Sequence, residues 1–313
     1  MTRSGAGSTR RQVTDRRAGV TIAEALASAT RALSDSSQSP RLDAEVLLAH
    51  VLGVERARLV LDREVELESG PHERFDRLAR RRLIGEPVAY LVGRRHFRAL
   101  ELTVDPRVLV PRPETECLVE AAIETVPHGA SVLDVGTGSG AIALALAAER
   151  PDLRVAGTDV SAEAIAVALG NRDRLNLDVS FTVADLLDGS AGADAVVANL
   201  PYVERGAQLP VDVAAFEPSL ALFGGEDGLT LIRRLAAQLA ARAWPTWALL
   251  EIGESQGDSV SELLRAAGFH AVEVRPDLAG RDRVIVARRG NRPPAGAARA
   301  AEPAAAGSRE PGR

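Results

Sequence analysis

Apolar side chains return every three or four positions through the first part of the chain. Leu42, Val46, Leu47 and Val51 recur at helical spacing, and Gly53 follows where a helix stop is expected. Further helical segments are expected at 56–63 and 71–84, the latter with an arginine-rich outer face that includes Arg80, Arg81 and Arg82. No strand pattern interrupts this stretch. Residues 18–86 therefore predict a small helical bundle, with His50 packed and the arginine run solvated. Pro87 breaks the helical rhythm. Segments 88–92 and 97–104 then alternate as a β-hairpin would, turning at Gly93-Arg94-Arg95, so 87–110 is expected to be a hairpin connector.

Beyond Pro111 the rhythm changes to strands alternating with helices. Strands are expected at 131–135, 153–158, 179–183, 194–198 and 247–252, with helices at 141–149, 162–174, 229–241 and 260–267. Two closing strands, 271–274 and 283–287, have only a short connection between them. This alternation predicts an α/β fold over 111–289: a doubly wound, mostly parallel sheet with helices on both faces and an antiparallel edge. Segments 1–17 and 290–313 are rich in Arg, Ser, Gly, Pro and Ala, poor in large apolar groups, and are expected to be disordered.

Composition narrows the class. The 313 residues are 46% hydrophobic and 26% charged, ordinary for a globular protein. The net charge of -5 gives no global attraction to phosphate backbones, so direct nucleic-acid binding is not expected. All 38 basic residues are Arg, which with the abundance of Ala reads as coding bias. Cys117 is the only cysteine, which excludes an internal disulfide and a cysteine-based zinc cluster; no metal is expected. No run of about 18 apolar residues exists and no apolar core follows the basic N-terminus, so a cytoplasmic monomer is expected.

The first candidate chemistry lies at Asp134-Val135-Gly136-Thr137-Gly138-Ser139-Gly140, between the first sheet strand and its helix. Glycines let the backbone turn tightly and let a ligand lie against the main chain. Ligands in such sheets bind beyond the carboxyl ends of the strands. Asp159 ends the next strand about 20 positions on, where a carboxylate can accept ribose hydroxyls. Asp185 and Leu186 follow the third strand, within reach of an adenine edge. Alone, this set fits either a dinucleotide or S-adenosylmethionine. Asp134 favours the second, because a carboxylate in the loop repels a pyrophosphate and suits a ligand carrying sulfonium and ammonium groups.

Asn199-Leu200-Pro201-Tyr202 closes the fourth strand and points to the reaction. A nitrogen whose lone pair is delocalised is a poor nucleophile, so a site that methylates it must orient it and accept its N–H groups. The Asn199 side-chain oxygen and the Leu200 carbonyl can accept them. Tyr202 offers a flat face for a planar amide or base, and Pro201 holds Leu200 extended. No dedicated general base accompanies the tetrapeptide.

With these motifs in order, the chain resembles the PrmC/HemK family of release factor glutamine-N5 methyltransferases over roughly 20–288. Further segments carrying the resemblance are Ser39-Pro40-Arg41-Leu42-Asp43-Ala44-Glu45, Gly85-Glu86-Pro87-Val88-Ala89-Tyr90, Val110-Pro111-Arg112-Pro113-Glu114-Thr115-Glu116, Phe216-Glu217-Pro218 and Gly224-Gly225-Glu226-Asp227-Gly228-Leu229. The resemblance implies a helical domain that helps recognise the substrate, and a class I, Rossmann-like methyltransferase domain. The implied reaction uses S-adenosyl-L-methionine to modify the glutamine of the Gly-Gly-Gln loop of class I peptide chain release factors, in translation termination. Asp134, Gly136, Thr137, Gly138, Ser139, Gly140, Asp159, Asp185, Leu186 and Asn199 would hold the cofactor. Asn199, Leu200, Pro201 and Tyr202 would hold the amide, with Phe97 bordering its pocket. The family usually has Asn-Pro-Pro-Tyr. Leu200 resembles instead the Asn-Leu-Pro-Tyr of ribosomal RNA adenine dimethyltransferases and keeps adenine-N6 methylation as the alternative. Arg112-Pro113-Glu114 reads as a helix start, and 224–228 as a loop before a helix.

Overall fold

The computed structural model describes residues 19–290. The segment 1–17 and all but Gly290 of 290–313, both expected to be disordered, lie outside the described residues. The chain divides between Val92 and Gly93 into two compact units.

The first unit is helical. Helix α1 (Ile22–Ala32) begins with a capping box in which Thr21 and Glu24 satisfy each other's backbone N–H. Helix α2 (Pro40–Leu52) has Pro in its first turn and ends at Gly53, whose φ of 66° suits a left-handed cap. Helices α3 (Arg56–Leu61), α4 (Ser69–Leu83) and α5 (Val88–Val92) follow. Leu26, Leu47, Leu48, Leu59, Phe75 and Leu91 form the core. One expectation changes here. Arg82 is not solvated: it is buried and paired with Asp43 at 2.7 Å, and it also donates to the Gly85 and Glu86 carbonyls. The pair ties α4 to α2 and accounts for an acid in the Ser39–Glu45 stretch.

The expected hairpin is also corrected. Val88–Val92 is helix α5, because the Pro87 carbonyl accepts from the N–H groups of Tyr90 and Leu91 and both side chains are buried in this unit. Packing overrides the strand preference of this β-branched and aromatic run. The hairpin lies wholly in the second unit, as β1 (Arg94–Phe97) against β2 (Leu100–Thr103), and turns at Arg98 and Ala99.

The second unit is built on a seven-stranded sheet. Its strands are β3 (Ser131–Val135), β4 (Arg154–Asp159), β5 (Val179–Val183), β6 (Ala195–Ala198), β7 (Trp247–Glu251), β8 (Ala271–Pro276) and β9 (Asp282–Arg288), in the order β5-β4-β3-β6-β7-β9-β8. β9 runs antiparallel to both β7 and β8, while the pairs among β5, β4, β3, β6 and β7 are parallel, so the expected antiparallel edge is present. The central strands alternate between two apolar layers. Val132, Val197 and Leu249 face one, and Leu133, Val196 and Leu250 the other. Both faces are covered by helices, among them α6 (Glu116–Thr125), α7 (Ala141–Glu149), α8 (Ala162–Leu175), α10 (Thr230–Ala240) and α11 (Gly257–Ala266). A short helix, α9 (Val211–Phe216), precedes α10. Arg112-Pro113-Glu114 does start a helix, through a 3-10 turn at Pro113–Thr115 that runs into α6. Strand order reverses between β3 and β6. The loops that leave these two strands therefore splay apart and open a crevice at their carboxyl ends.

Candidate active site

The loop after β3 forms one wall of this crevice. Gly136, Gly138 and Gly140 all have positive φ (75°, 55° and 83°). Gly136 is required twice over, since a Cβ there would also lie 3.1 Å from Leu200 Cδ2. The loop is pinned from behind: the N–H groups of Gly136 and Thr137 both donate to the Thr158 carbonyl. Gly138 N–H donates to Asp159 at 2.9 Å.

A cavity of about 570 Å³ lies against this loop. Gly136, Gly138, Asp159, Asp185, Leu186, Asn199, Leu200 and Pro201 all line it, so most residues expected at the cofactor are brought together. Asp159 ends β4 with its two oxygens accepting the Gly138 and Ser161 N–H groups. A carboxylate has further lone pairs, which leaves capacity for hydroxyl donors. Asp185 pairs with Arg234 at 2.7 Å on the cavity's rim. The volume and the mixture of apolar and acidic lining fit a nucleoside with a charged tail.

Asp134, Thr137, Ser139 and Gly140 do not line the cavity. Asp134 is fully buried beneath the loop, where Oδ2 accepts from the Thr137 hydroxyl at 2.6 Å and from the Ala143 N–H at 3.2 Å. It thus binds the first turn of α7 and braces the loop from below. Its Oδ1 is buried without a partner. Burial pushes its carboxyl up to about 7, against the pull of those hydrogen bonds, and the Asp159 charge adds to the rise. Phe97 is likewise corrected. It is 1% exposed in the core with Leu102 and Leu118 and borders neither cavity of the site.

The tetrapeptide after β6 stands between two cavities. Asn199, Leu200 and Pro201 line the large one and also, with Tyr202, Arg112 and Glu251, a smaller one of about 240 Å³. The turn is supported from distant places. Asn199 Nδ2 donates to the buried Thr115 hydroxyl at 3.1 Å, and Tyr202 donates its hydroxyl to Glu251 Oε1 at 3.3 Å. Gln256 Nε2 donates to the Tyr202 carbonyl at 3.2 Å. The 224–228 loop closes on the same backbone: a Cβ on Gly224 would collide with the Pro201 carbonyl oxygen, and one on Gly228 with that of Tyr202. Arg112 pairs with the buried Glu217, whose other oxygen accepts the Val110 N–H, so two of the segments noted in the sequence meet here.

Burial also governs the acids and the phenol. Glu251, 1% exposed, is pushed up to about 6 by desolvation, against the pull of the nearby Thr115 hydroxyl, the Arg283 charge and the Tyr202 hydrogen bond. Tyr202 rises to about 12, by burial first and then by the charge of Glu251. Sequence reasoning missed Thr115, Glu251 and Gln256. Glu251 carried a usable signal: it ends an apolar strand at the carboxyl edge of the sheet, as Asp159 and Asn199 end theirs.

Among the described residues, no group of three His, Cys, Asp or Glu is arranged to hold a metal ion, and no helix is long and apolar enough to cross a membrane.

Comparison with known proteins places residues 24–93 in the family described as PrmC N-terminal domain, and residues 113–216 in the methyltransferase small domain family. The release factor glutamine methyltransferase of Koribacter versatilis is 42% identical over 279 residues, which cover 86% of this chain and 99% of that protein. That of Moorella thermoacetica is 43% identical over 281 residues, with coverage of 86% and 99%. Among solved structures, a methyltransferase from Pyrococcus furiosus is similar at 18% identity with a TM-score of 0.50, over 69% of this chain and 98% of that one. The hMettl16 catalytic domain in complex with an RNA hairpin is similar at 17% identity and a TM-score of 0.50, over 61% and 76%. At these identities the two structures speak for the fold alone.

Proposed function

Because the chain belongs to the release factor glutamine methyltransferase family, we propose that Asn199, Leu200, Pro201 and Tyr202 hold the substrate amide while the loop after β3 holds the methyl donor. The reaction is S-adenosylmethionine-dependent methylation of a release factor glutamine at its side-chain nitrogen, N5. Adenine methylation, the alternative that Leu200 raised, is not favoured.

The observation that carries the assignment of roles is the shared wall. The tetrapeptide separates a cavity of nucleoside size from one that suits a single side chain. Gly136, Gly138, Asp159, Asp185 and Leu186 bind the cofactor in the larger one, with Asp134 bracing the loop from beneath. Bound there, S-adenosylmethionine supplies a methyl group made electrophilic by its sulfonium. The chain's own contribution is alignment. Asn199 Oδ1 and the Leu200 carbonyl accept the two amide N–H groups, and Tyr202 presents its flat face to the amide plane. Acceptors fixed in a partly dry site stabilise positive charge as it develops on nitrogen, without reorganising.

The helical unit then serves to recognise the release factor, and 111–289 carries catalysis. The modified residue is the glutamine of the Gly-Gly-Gln loop of class I release factors, and the enzyme acts in the cytoplasm as a monomer, without nucleic acid. The acidic net charge of -5 supports the last point.

The test is methyl transfer from labelled S-adenosylmethionine into purified release factor, into the same factor with its loop glutamine changed to alanine, and into bare RNA. Label is expected only in the first. Equal labelling of the alanine variant, or labelling of RNA alone, contradicts the assignment.

A further inference from the structure

We propose that Arg112 donates to the side-chain oxygen of the substrate glutamine, and that the buried carboxylate of Glu217 holds it in place to do so. Arg112 is then a specificity-determining residue, and Glu217 a positioning residue that acts through it. The inference rests on the reading of the smaller cavity beside Asn199–Tyr202 as the seat of a carboxamide.

A carboxamide offers two N–H donors and one acceptor oxygen. In that reading Asn199 Oδ1 and the Leu200 carbonyl take both N–H groups, which leaves the oxygen without a donor. Enclosing it unpaired would weaken the complex by roughly 5- to 150-fold. The wall of the cavity, about 240 Å³ in volume, narrows the choice of donor, since most of its side chains are apolar. The one Tyr202 hydroxyl proton goes to Glu251 Oε1, and Asn199 Nδ2 is engaged by Thr115. Arg112 remains. Its guanidinium carries five N–H groups. Among the described residues only Glu217 takes one of them, from Nη2 to Oε1 at 2.5 Å.

Arg112 lines the smaller cavity and not the larger one, so its spare donors serve the substrate rather than the methyl donor. Its side chain is 33% exposed, and that of Glu217 is 1% exposed. The ion pair therefore has an open end, the guanidinium, and a closed end, the carboxylate behind it. Glu217 cannot follow the arginine outward, because its Oε2 also accepts the Val110 N–H at 3.1 Å. A planar fork fixed at one corner keeps its other N–H groups in set directions.

Charge explains why this arginine comes paired. A lone guanidinium beside the site would oppose the sulfonium of the methyl donor and the positive charge that develops on the attacking nitrogen. With the Glu217 carboxylate against it, the pair is neutral as a whole and still donates. A glutamate in place of the glutamine is disfavoured all the same. Its carboxylate would set oxygen lone pairs against Asn199 Oδ1 and the Leu200 carbonyl, which need donors. Two acceptors and one donor around a small cavity thus match a carboxamide group by group.

Arg112→Met alone would leave Glu217 buried and unpaired. The experiment therefore combines Arg112→Met with Glu217→Gln, which keeps both shapes and leaves no orphan charge. The quantity read is the preference for glutamine: the affinity of the natural release factor divided by that of the factor with its loop glutamine changed to alanine. Each affinity is measured by calorimetry with S-adenosylhomocysteine bound. The natural chain is expected to prefer the glutamine factor. The double variant is expected to lose about 10- to 100-fold of that preference, the range for a hydrogen bond from a charged donor. Its affinity for S-adenosylhomocysteine should stay within about twofold, as for a separate site. An equal preference in the two chains overturns the proposal, because losses that simply add mean that Arg112 and the glutamine do not touch. So does a fall in S-adenosylhomocysteine affinity as large as the fall in preference, which would assign the effect to the fold of the site. A natural chain that neither prefers the glutamine factor nor methylates it overturns the functional reading instead, which separates the two.

Discussion

The loop after β3 is held by its own helix and by the end of the adjacent strand β4, whereas the Asn199–Tyr202 turn after β6 is held by side chains from several distant parts of the chain. Each rests on a buried carboxylate at the end of a strand, and each carboxylate has one oxygen without a donor. Asp134 takes its hydrogen bonds from Thr137 and Ala143, within the same strand–loop–helix unit. Glu251 takes the Tyr202 hydroxyl from the end of another strand, and Asn199 in the same turn is held by Thr115 from far upstream. The first arrangement shapes a backbone cradle that receives a cofactor. The second orients side-chain atoms against a substrate, which needs several independent supports to remove each freedom of rotation. A cradle needs backbone curvature, which glycines and main-chain bonds to one adjacent strand supply, and an aligned amide needs side chains from several places.

This contrast leads to graded expectations. The largest effect belongs to Asn199→Ala, which removes the acceptor. Its kcat should fall by about 100- to 1000-fold, the range for deleting one preorganised polar group, with cofactor binding largely kept. Calorimetry beside steady-state kinetics checks this, and parallel loss of both would blur the two regions into one. Tyr202→Phe keeps the flat face and removes the hydroxyl from Glu251. A net hydrogen bond of about 1 kcal/mol corresponds to a kcat decrease of roughly fivefold to tenfold, to be read in the same assay. An unchanged rate would confine the role of Tyr202 to its ring.

Leu200→Pro sits where the regions touch. The Leu200 side chain is 4% exposed, packed beneath Gly136 and among the apolar residues of one sheet face. Removing it should cost about 1–3 kcal/mol of stability, seen as a lowered Tm, without raising turnover. A large gain in rate would mean that the natural chain gives up activity at this position. The smallest effect belongs to Asp134→Asn. The folded chain holds the Asp134 proton up to about 7, while an unfolded aspartate releases it near 4. The folded state therefore binds more protons between those values, and this group makes stability fall as pH rises from about 4 to about 7. Asp134→Asn should flatten that slope in denaturant titrations. A slope equal to that of the natural chain would place its origin elsewhere.

The same contrast explains what could be read from the chain. Glycine spacing, apolar strands and helix starts are local, and they led to the α/β sheet, its antiparallel edge and the loop after β3. The tetrapeptide was visible because its chemistry lies in four adjacent residues. Its supports were not, since Thr115, Gln256 and the Gly224–Gly228 loop acquire their roles only when the chain brings them together. Val88–Val92 read as a strand because its residue types favour one, and only packing around Tyr90 and Leu91 makes it helical. Arg82 was hidden in a charged run for the same reason. Its partner Asp43 lies on another helix.

The central claim is the division of labour between loop and tetrapeptide, and one crossed measurement tests it most directly. Cofactor affinity by calorimetry and the single-turnover methyl-transfer rate at saturating cofactor are compared for Gly136→Ala and Asn199→Ala. Gly136→Ala forces a side chain into a backbone at φ 75° with Leu200 3.1 Å away. It should weaken binding by roughly tenfold or more through strain of about 1–3 kcal/mol, with the transfer rate at saturation mostly kept. Asn199→Ala should do the reverse. Loss of both quantities in equal measure by both variants would contradict the account.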